Sequence, residues 1–556
     1  MLNTDWRNME NGLRIPTETG YCDQPSIVKT ARGVWVCSVT TGKGGEGAKG
    51  QYVNITRSFD RGQTWTSPIS LEDTDWESAY SSLAIAPSGR IYCFYCYNMD
   101  HIDIDKVPLS RYDMGGYYCY RMSADDGETW SERHVVPIRD FEIDEQQEYK
   151  DFAGKPLRFF WNVSRVFFEG DTLYSALIKY HYKPEDVLFA SEGALLRCRN
   201  LDTDPDAVWE TLPNGKKGIR TPEGGGRVAE EQSYVILSDG TIFTVFRTID
   251  GFSACAYSRD GGCSFEPSDF MRYSDGRRVK HNRAANFIWP LGDGKYLYWF
   301  NNQGTRSYMR RNPIWCLLGT EIPAEKGMRL TFSEPELLLY HDSEHVMMSY
   351  PDLLWDDGWY VTETQKVEAR IHPIQPAFIE RLTQPRGTDV TPVWQLSKAE
   401  FPMLLFSKNS HAVMNDHRIL TGNGLTLCLR IQDAKKGDVL FDTRTGNGGI
   451  GIWVNETGLL EAEFGDVMVS EVLHGSRMIA DGAVHSVALV IDAQAKVYWF
   501  VVDGRFDDGG ERQMCGWRWL NRSLIELPQG MVRTGRCVQR AQAFDRPLMT
   551  CEIAKQ

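Results

Sequence analysis

The chain has 556 residues, of which 42% are hydrophobic and 24% charged, so at least two globular domains are expected. Acidic residues number 75 against 61 lysines and arginines, and this net charge of −14 disfavours nucleic-acid binding. No basic, apolar leader and no run near the roughly 20 apolar residues of a membrane span is visible. A cytoplasmic protein without membrane contact is therefore expected, with a secreted form as the alternative.

Short β-rich runs recur through residues 25–375, whereas runs with helical periodicity are scarce. Many of these runs follow a small turn rich in Gly, Asp and Ser, as at 238–240 and 356–358. Strands at this spacing predict an all-β sandwich, barrel or propeller. They group into six units of the size of a propeller blade. These predicted blades are 25–68, 81–133, 159–212, 230–268, 283–340 and 350–375, with residues 1–24 completing the last one.

One short motif occurs three times, at 58–65, 123–130 and 258–265. Its pattern is S-x-D-x-G-x-[ST]-[WF], in which Asp bonds turn amides, Gly takes a positive φ and the aromatic packs between strands. The motif resembles the Asp-box (BNR repeat) of sialidases and related propellers, where it is structural. The resemblance implies that residues 1–384 form a catalytic, six-bladed, sialidase-like β-propeller.

Further segments resemble those that carry the catalytic residues of sialidases. In residues 229–247, a Glu opens a strand and an Arg ends the next strand before an Asp-box. This match assigns Glu231 the role of base, which a tyrosine nucleophile with a free pKa of about 10 requires. By the same resemblance Tyr350 is the nucleophile, and Glu46, in the glycine-rich loop predicted between the first two strands of the first blade, is the general acid. The alternatives are a core tyrosine, surface glutamates and a phosphate-binding loop.

The sialidase resemblance also implies substrate-binding residues. Arg247 and Arg311 match two of the three arginines that hold the carboxylate of sialic acid, although neighbouring Arg310 leaves the register open. Arg283 is a further candidate for the channel.

The position of the first sialidase arginine is different in this chain. Arg14, in a Leu-Arg-Ile-Pro stretch, looks like that arginine, but counting back from the first Asp-box places Asp23 there. A carboxylate accepts hydrogen bonds from sugar hydroxyls and repels a substrate carboxylate. The sequence therefore predicts a sugar other than ordinary sialic acid. The alternative is that Arg14 or Arg283 supplies the missing charge.

The texture of the sequence changes near residue 385. Residues 481–492 and 496–504 read as a strand pair with strong alternation, in a D-G-x-x-H-x-V-A-L-V pattern. This stretch resembles the laminin-G or concanavalin-like jelly roll, which implies a β-sandwich over residues 385–556. His485 is interpreted as a strand residue of that sandwich and not as a catalytic group.

These inferences favour an exo-acting, sialidase-like glycoside hydrolase that removes a terminal acidic sugar from a glycan with retention of configuration. One alternative is a lyase acting on a uronate-containing polysaccharide, with His281 near Arg283. The other is a propeller that binds carbohydrate without cutting it. No cofactor or metal is predicted, because the Cys93–Cys96 pair lies within an apparent strand and has no second pair nearby. The oligomeric state is not predicted.

Overall fold

The protein is described from a computed structural model in which most elements are β-strands. The described residues are 5–18, 20–72, 74–101, 103, 113, 116–146, 162–181, 190–204, 206–383, 390–397, 423–446, 448–524 and 532–554. The predicted domain boundary at residue 385 and parts of the predicted blade 159–212 lie outside them. The chain divides into two compact units. The first comprises Met9–Ser333 and Leu337–Pro376, and the second Met1–Asn8, Glu334–Glu336 and Ala377–Gln556.

Within the described residues, the first unit contains six sheets, numbered here in chain order. Sheet 1 has the strands Tyr21–Lys29, Trp35–Gly42, Tyr52–Ser58 and Ile69–Ser70. Sheet 2 has the strands Ser78–Ile85, Ile91–Tyr97, Tyr117–Ser123 and His134–Val135. Sheet 3 has the strands Val166–Glu169, Thr172–His181, Ala190–Cys198 and Trp209–Leu212. Sheet 4 has the strands Glu230–Ile236, Ile242–Arg247, Ala254–Ser258 and Asp269–Phe270. Sheet 5 has five strands, Phe287–Gly292, Lys295–Phe300, Ile314–Ala324, Gly327–Phe332 and Glu336–Leu339. Sheet 6 has the strands Leu353–Trp355, Trp359–Thr364, Ala369–Pro373 and Leu13–Ile15.

The six sheets pack on one another through apolar faces, because alternate side chains of a strand point to opposite sides. Sheets 1 and 2 share a buried cluster that contains Val36 and Leu83. Sheets 3 and 4 share a second cluster, and sheets 6 and 1 share a third. The first strands of sheets 1 and 2, and of sheets 4 and 5, also contact each other. This all-β arrangement of mostly four-stranded sheets is consistent with a propeller, and the assignment of six blades stays a prediction.

The start of the chain supplies the outer strand of sheet 6. Leu13–Ile15 pairs antiparallel with Ala369–Ile371, which places residues from the two ends of the first unit in one sheet. Arg14 is consequently at a sheet edge, where its side chain is 73% exposed and lies 2.8 Å from Glu368. The structure does not bring Arg14 to the other predicted site residues.

The three copies of the repeated motif form the same turn between the third and fourth strands of sheets 1, 2 and 4. In the first copy, Gly62 N donates to Ser58 Oγ at 2.8 Å and Thr64 N donates to Asp60 Oδ1 at 2.8 Å. The copies at 123–130 and 258–265 make the corresponding bonds. The glycine of each copy has φ between 78° and 94°, a region that other residues rarely adopt. Local chemistry of the motif therefore determines this turn.

The second unit contains two antiparallel sheets among its described residues. The larger sheet has the strand order Trp394–Ser397, Val538–Phe544, Gly424–Gln432, Val484–Asp492, Val497–Val502 and Arg505–Phe506. Its strand Val497–Val502 also pairs with Trp517–Trp519. The smaller sheet has the strand order Val439–Asp442, Gly448–Val454, Leu459–Asp466 and Ser470–Met478. Buried residues of both sheets, such as Leu489 and Ile452, share one hydrophobic core. The laminin-G assignment stays a prediction.

Helices are short in the part of the chain that the structure describes. They are the 3₁₀-helix Met9–Asn11 and the α-helices Glu142–Glu145, Pro376–Thr383 and Thr550–Ile553. The longest has eight residues, against the roughly 20 that a membrane span requires.

His485 lies on the strand Val484–Asp492, as the sequence predicts. Its Nδ1 is 2.9 Å from Asp503 Oδ2 and its Nε2 is 2.9 Å from Asp481 Oδ1. Partial burial opposes the imidazolium charge, but these two carboxylates outweigh burial and raise the pKa of His485. These two carboxylates, on two neighbouring turns, therefore favour the protonated form of the ring.

We expect His485→Gln to destabilise the protein more at about pH 5.5 than at about pH 8.5. A histidine whose pKa is raised on folding stabilises the native state below its unfolded pKa of about 6.5. That contribution is lost as the pH rises through the folded pKa. Thermal unfolding of the full chain at both pH values measures the difference. Asp503→Asn should remove much of the same pH dependence, and an equal loss at both pH values would contradict the ion-pair explanation.

Candidate active site

Two glutamates open the first strand of sheet 4 at a β-bulge. The bulge lies between Glu230 and Ser233, and Glu231 has a φ of 57°. Consecutive side chains of a regular strand point to opposite faces, and a bulge re-aims one of them. Both carboxylates consequently reach Arg247 on the second strand, with Nη2 2.7 Å from Glu230 Oε2 and Nη1 3.0 Å from Glu231 Oε2. All three side chains are buried.

The two glutamates differ in their balance of charge. Glu230 also pairs with Arg283, whose Nη2 donates to Glu230 Oε1 at 3.1 Å and to Glu230 Oε2 at 3.3 Å. Burial acts to raise the pKa of Glu230, but the two arginines outweigh it and lower that pKa. For Glu231, burial dominates over the charge of Arg247, so its pKa is raised. Glu230 is thus a fixed anion, and Glu231 is a carboxylate with increased affinity for a proton.

Tyr350 directly contacts Glu231, although 119 residues separate them in sequence. The Tyr350 hydroxyl donates to Glu231 Oε1 at 3.2 Å. Burial and the neighbouring Glu231 charge raise the pKa of Tyr350 to about 12, so the phenol is neutral and serves as the donor. Tyr350 has a φ of 48°, a strained value for a residue with a side chain. The site therefore contains a buried phenol with a proton acceptor already in place.

Arg311, and not Arg310, faces this tyrosine. Arg311 is buried, and its guanidinium lies 5.7 Å from the centroid of the Tyr350 ring. Its Nη1 donates to Ser349 Oγ at 2.8 Å and its Nε to the Tyr308 carbonyl at 2.9 Å. Arg310 is exposed. Of these two neighbouring arginines, Arg311 is therefore the one beside Tyr350.

A lysine that sequence reasoning did not identify joins the remaining predicted residues to the site. Lys366 Nζ lies 4.4 Å from the Tyr350 ring centroid, 2.5 Å from Asp23 Oδ2 and 3.4 Å from Glu46 Oε2. Burial acts to lower the pKa of Lys366, but Asp23 and Glu46 outweigh burial and raise it. Lys366 is therefore a permanent cation beside the tyrosine. Glu46 is the more accessible carboxylate, with 38% of its side chain exposed. Its loop joins the second and third strands of sheet 1, and not the first two as the sequence predicts, because one more strand, Tyr21–Lys29, precedes them.

The carboxylate of Asp23 is occupied by donors of the chain itself. Its Oδ1 accepts from Gln24 N at 3.0 Å, and its Oδ2 accepts from the Tyr21 hydroxyl at 2.7 Å and from Lys366. Burial raises the pKa of Asp23, against the charge of Lys366. Sequence reasoning predicts Asp23 as an acceptor for sugar hydroxyls. In the structure, the Asp23 carboxylate instead positions the ammonium group of Lys366.

The position of Lys366 follows from strand pairing. Ser349 and Thr364 exchange backbone hydrogen bonds, so the residues just after Thr364 come close to Tyr350. In addition, Cys22 N donates to the Lys366 carbonyl at 3.0 Å, which ties this turn to the strand that carries Asp23. The sequence indicates only that two strands pair on either side of the turn at 356–358, and this pairing does not single out Lys366.

His281 is a structural residue. Its Nε2 lies 2.8 Å from the Ala284 carbonyl, and its Nδ1 accepts from Asn301 N at 3.3 Å. Burial lowers the pKa of His281 to about 3, so the ring stays neutral. With both nitrogens engaged, His281 gives the lyase alternative no available base. Arg283 is held by Glu230 and is not the cation beside Asp23.

Within the described ranges, no group of three or more His, Cys, Asp or Glu side chains is placed to hold a metal ion. Cys93 and Cys96 are buried on one strand of sheet 2. The chemistry that this site can perform with its own side chains is proton transfer, nucleophilic attack and binding of an anion.

Comparisons with known proteins give structural neighbours only. No protein-family model and no curated protein sequence matches the chain. A protein of unknown function from Dyadobacter fermentans is 16% identical, with 65% of this chain and 98% of that chain covered and a TM-score of 0.48. The Hadza microbial sialidase Hz136 is 16% identical, with coverages of 66% and 68% and a TM-score of 0.45. Trypanosoma rangeli sialidase is 11% identical, with coverages of 99% and 96% and a TM-score of 0.45.

Proposed function

We propose that the first unit is a glycoside hydrolase that removes a terminal acidic sugar from a glycan with retention of configuration. The observation that carries this proposal is the buried hydrogen bond from Tyr350 to Glu231 Oε1, at 3.2 Å. A phenol becomes a nucleophile when a positioned base takes its proton. Tyrosine nucleophiles of this kind occur in sialidases among the glycosidases.

In the first step, Tyr350 Oη attacks the anomeric carbon and its proton passes to Glu231. The bond between that carbon and the leaving oxygen breaks, and Glu46 protonates the leaving oxygen. The raised pKa of Glu231 makes it a stronger base than an ordinary glutamate. Arg247 lies against Glu231 on the side of the other oxygen and keeps the carboxylate oriented.

In the second step, a water molecule attacks the anomeric carbon of the tyrosyl intermediate. Glu46 takes the proton of the water, the bond from carbon to Tyr350 breaks, and Glu231 returns its proton to the phenol. Two successive inversions give net retention. The partial exposure of Glu46 supports this role, because the acid and base of the second step must meet solvent water.

An acidic sugar is favoured by the cations beside the nucleophile. Arg311 and Lys366 flank the Tyr350 ring, and a guanidinium binds a carboxylate through two parallel hydrogen bonds. A substrate anion that takes the Lys366 ammonium would weaken its hold on Glu46, favouring the protonated form that the first step needs. The resemblance puts Asp23, which is held by Lys366, at the position of the first sialidase arginine, so a sugar other than ordinary sialic acid is favoured.

A screen of chromogenic aryl glycosides, including sialosides and uronides, tests the proposal. We expect turnover of an acidic glycoside in the range of about 1–1000 s⁻¹, with first-formed product of retained configuration by NMR and little turnover of an ordinary sialoside. A product with an ultraviolet-absorbing unsaturated uronate would establish a lyase. Sugar binding without turnover of any glycoside would establish a binding module. Either outcome would overturn the hydrolase.

Lys366→Met is expected to raise KM for the cleaved acidic glycoside by about 10- to 100-fold, the value of a charged hydrogen bond. A matched neutral glycoside should be affected much less, because it lacks the anion that Lys366 binds. Lys43→Met, an exposed lysine of the same glycine-rich loop, is the control. Steady-state kinetics on the two glycosides measure the effect, and an equal rise in KM for both would contradict anion recognition by Lys366.

A further inference from the structure

A second cavity lies at the other ends of the first strands, away from Tyr350 and Glu231. Its volume is about 310 Å³, and its lining comes from sheets 1, 2, 3 and 6. Lys29, one lining residue, follows Asp23 by six positions on one strand, which corresponds to about 20 Å. Asp352, another lining residue, follows Tyr350 by two positions, but none of the residues that line the cavity belongs to the candidate active site.

The cavity contains an arginine without a counter-charge in contact. Among the described residues, none makes a hydrogen bond or ion pair with Arg165. Its guanidinium packs 5.3 Å from the Phe167 ring, and Asp352 and Glu169 act on it only through space. Burial lowers the pKa of Arg165, although an arginine stays protonated in proteins. A half-buried guanidinium with no partner among the described residues is available to bind an anion.

The other charged groups of the cavity wall already have partners. Asp352 Oδ2 accepts from Ser26 Oγ and Ile27 N, both at 3.0 Å, and its Oδ1 accepts from Leu353 N at 2.9 Å. Lys29 is paired with Asp356. Arg165 is therefore the group of this wall that is left to recognise a ligand.

The remaining wall is largely apolar and includes one prominent aromatic surface. Trp355 lines the cavity while 56% exposed, beside Leu354 and Phe168. Sites for small molecules combine such surfaces with a few polar groups, at volumes from about 300 Å³. A sugar ring has one apolar face that packs on an indole. An inorganic anion would use Arg165 and leave Trp355 without a role.

We propose that this cavity is a second binding site, specific for an acidic monosaccharide whose carboxylate pairs with Arg165 and whose ring lies against Trp355. The site is independent of the proposed hydrolytic chemistry. It suits either the released sugar or an acidic residue elsewhere on a glycan chain.

Titration calorimetry of the full chain with glucuronate, inorganic sulfate and glucose tests this site. We expect two glucuronate sites in the wild type. Arg165→Gln should weaken one of them at least about tenfold and leave hydrolysis unchanged, whereas Lys366→Met should weaken the other. Arg165→Lys, which keeps the charge without the planar fork, should bind more weakly than the wild type, and glucose should not bind the cavity. Arg14→Gln, at an exposed sheet edge, is the matched control.

Trp355→Ala distinguishes an acidic sugar from a simple anion. It should weaken glucuronate binding at the Arg165 site and leave sulfate binding unaffected. Arg165 makes no hydrogen bond or ion pair with another described residue, so Arg165→Gln should unfold near the wild-type temperature, which shows that the variant is folded. The proposal is wrong if Arg165→Gln binds glucuronate with the same number of sites and the same affinities as the wild type. It is also wrong if Trp355→Ala binds glucuronate as the wild type does.

Discussion

Replacing Tyr350 with phenylalanine should lower kcat/KM on the cleaved acidic glycoside by about 10³-fold or more. The substitution removes the oxygen that forms the covalent bond and keeps the ring. KM should change little, because Arg311 and Lys366 still flank the ring face. Steady-state kinetics of the purified full chain measure the loss.

The fold should tolerate this substitution. The hydrogen bond to Glu231 contributes about 1 kcal/mol to stability, and the edge contact of the ring with Phe287, with centroids 6.5 Å apart, is retained. Tyr360→Phe, on the second strand of sheet 6, is the matched control and should keep full activity. A Tyr350→Phe variant with more than about a tenth of wild-type activity would rule out a tyrosine nucleophile.

The pH profile tests the base that the mechanism assigns. Glu231 must be ionised to take the Tyr350 proton, so activity falls as the pH drops through the pKa of Glu231. Because burial raises that pKa, the acidic limb should lie above the value of about 4.3 for an ordinary glutamate. Glu231→Gln should lose activity about as severely as Tyr350→Phe.

The parts of the fold that sequence predicts best are those encoded by adjacent residues. The motif of Ser58, Asp60 and Gly62 closes its turn with its own side chains. An all-β architecture with mostly four-stranded sheets could accordingly be predicted. The pairing of Leu13–Ile15 with Ala369–Ile371 depends on residues more than 350 positions apart. The sequence predicts that residues 1–24 complete the last predicted unit, and this pairing agrees with that prediction, but the local pattern around Arg14 does not indicate the register.

Among the site residues, too, contacts within one hairpin could be predicted and contacts between distant segments could not. Glu230 and Arg247 stand in register across one hairpin, so their contact follows from local pairing. Tyr350 could be assigned only by resemblance, and its contact with Glu231 links sheet 4 to the start of sheet 6. Lys366 was missed because its role depends on where a turn lies in space. Its residue type at that position has no distinctive sequence signal.

Removing Glu230 should cause the largest loss of stability among the site variants. Glu230 is fully buried, and both Arg247 and Arg283 bind it. Glu230→Ala leaves these two buried guanidinium groups without that partner, and breaking a buried ion pair in this way costs about 3–5 kcal/mol. Denaturant unfolding of the full chain measures the free energy of unfolding. Glu128→Ala, which removes a 65% exposed partner of Arg57, should change it by less than about 0.5 kcal/mol.

The pH dependence of this loss identifies its cause. The pKa of Glu230 is lowered by its two arginines, so its ion pairs stabilise the protein above the unfolded pKa of about 4.3. That stability is lost as the pH falls through the folded pKa, and the gap between wild type and Glu230→Ala should narrow in acid. The double variant Glu230→Ala/Arg283→Met should recover part of the loss, because it removes one of the stranded charges. If the difference in the free energy of unfolding between wild type and Glu230→Ala is the same at all pH values, and the double variant is no more stable, then Glu230 stabilises the protein by filling space. Its charge would then not hold Arg247 against Glu231.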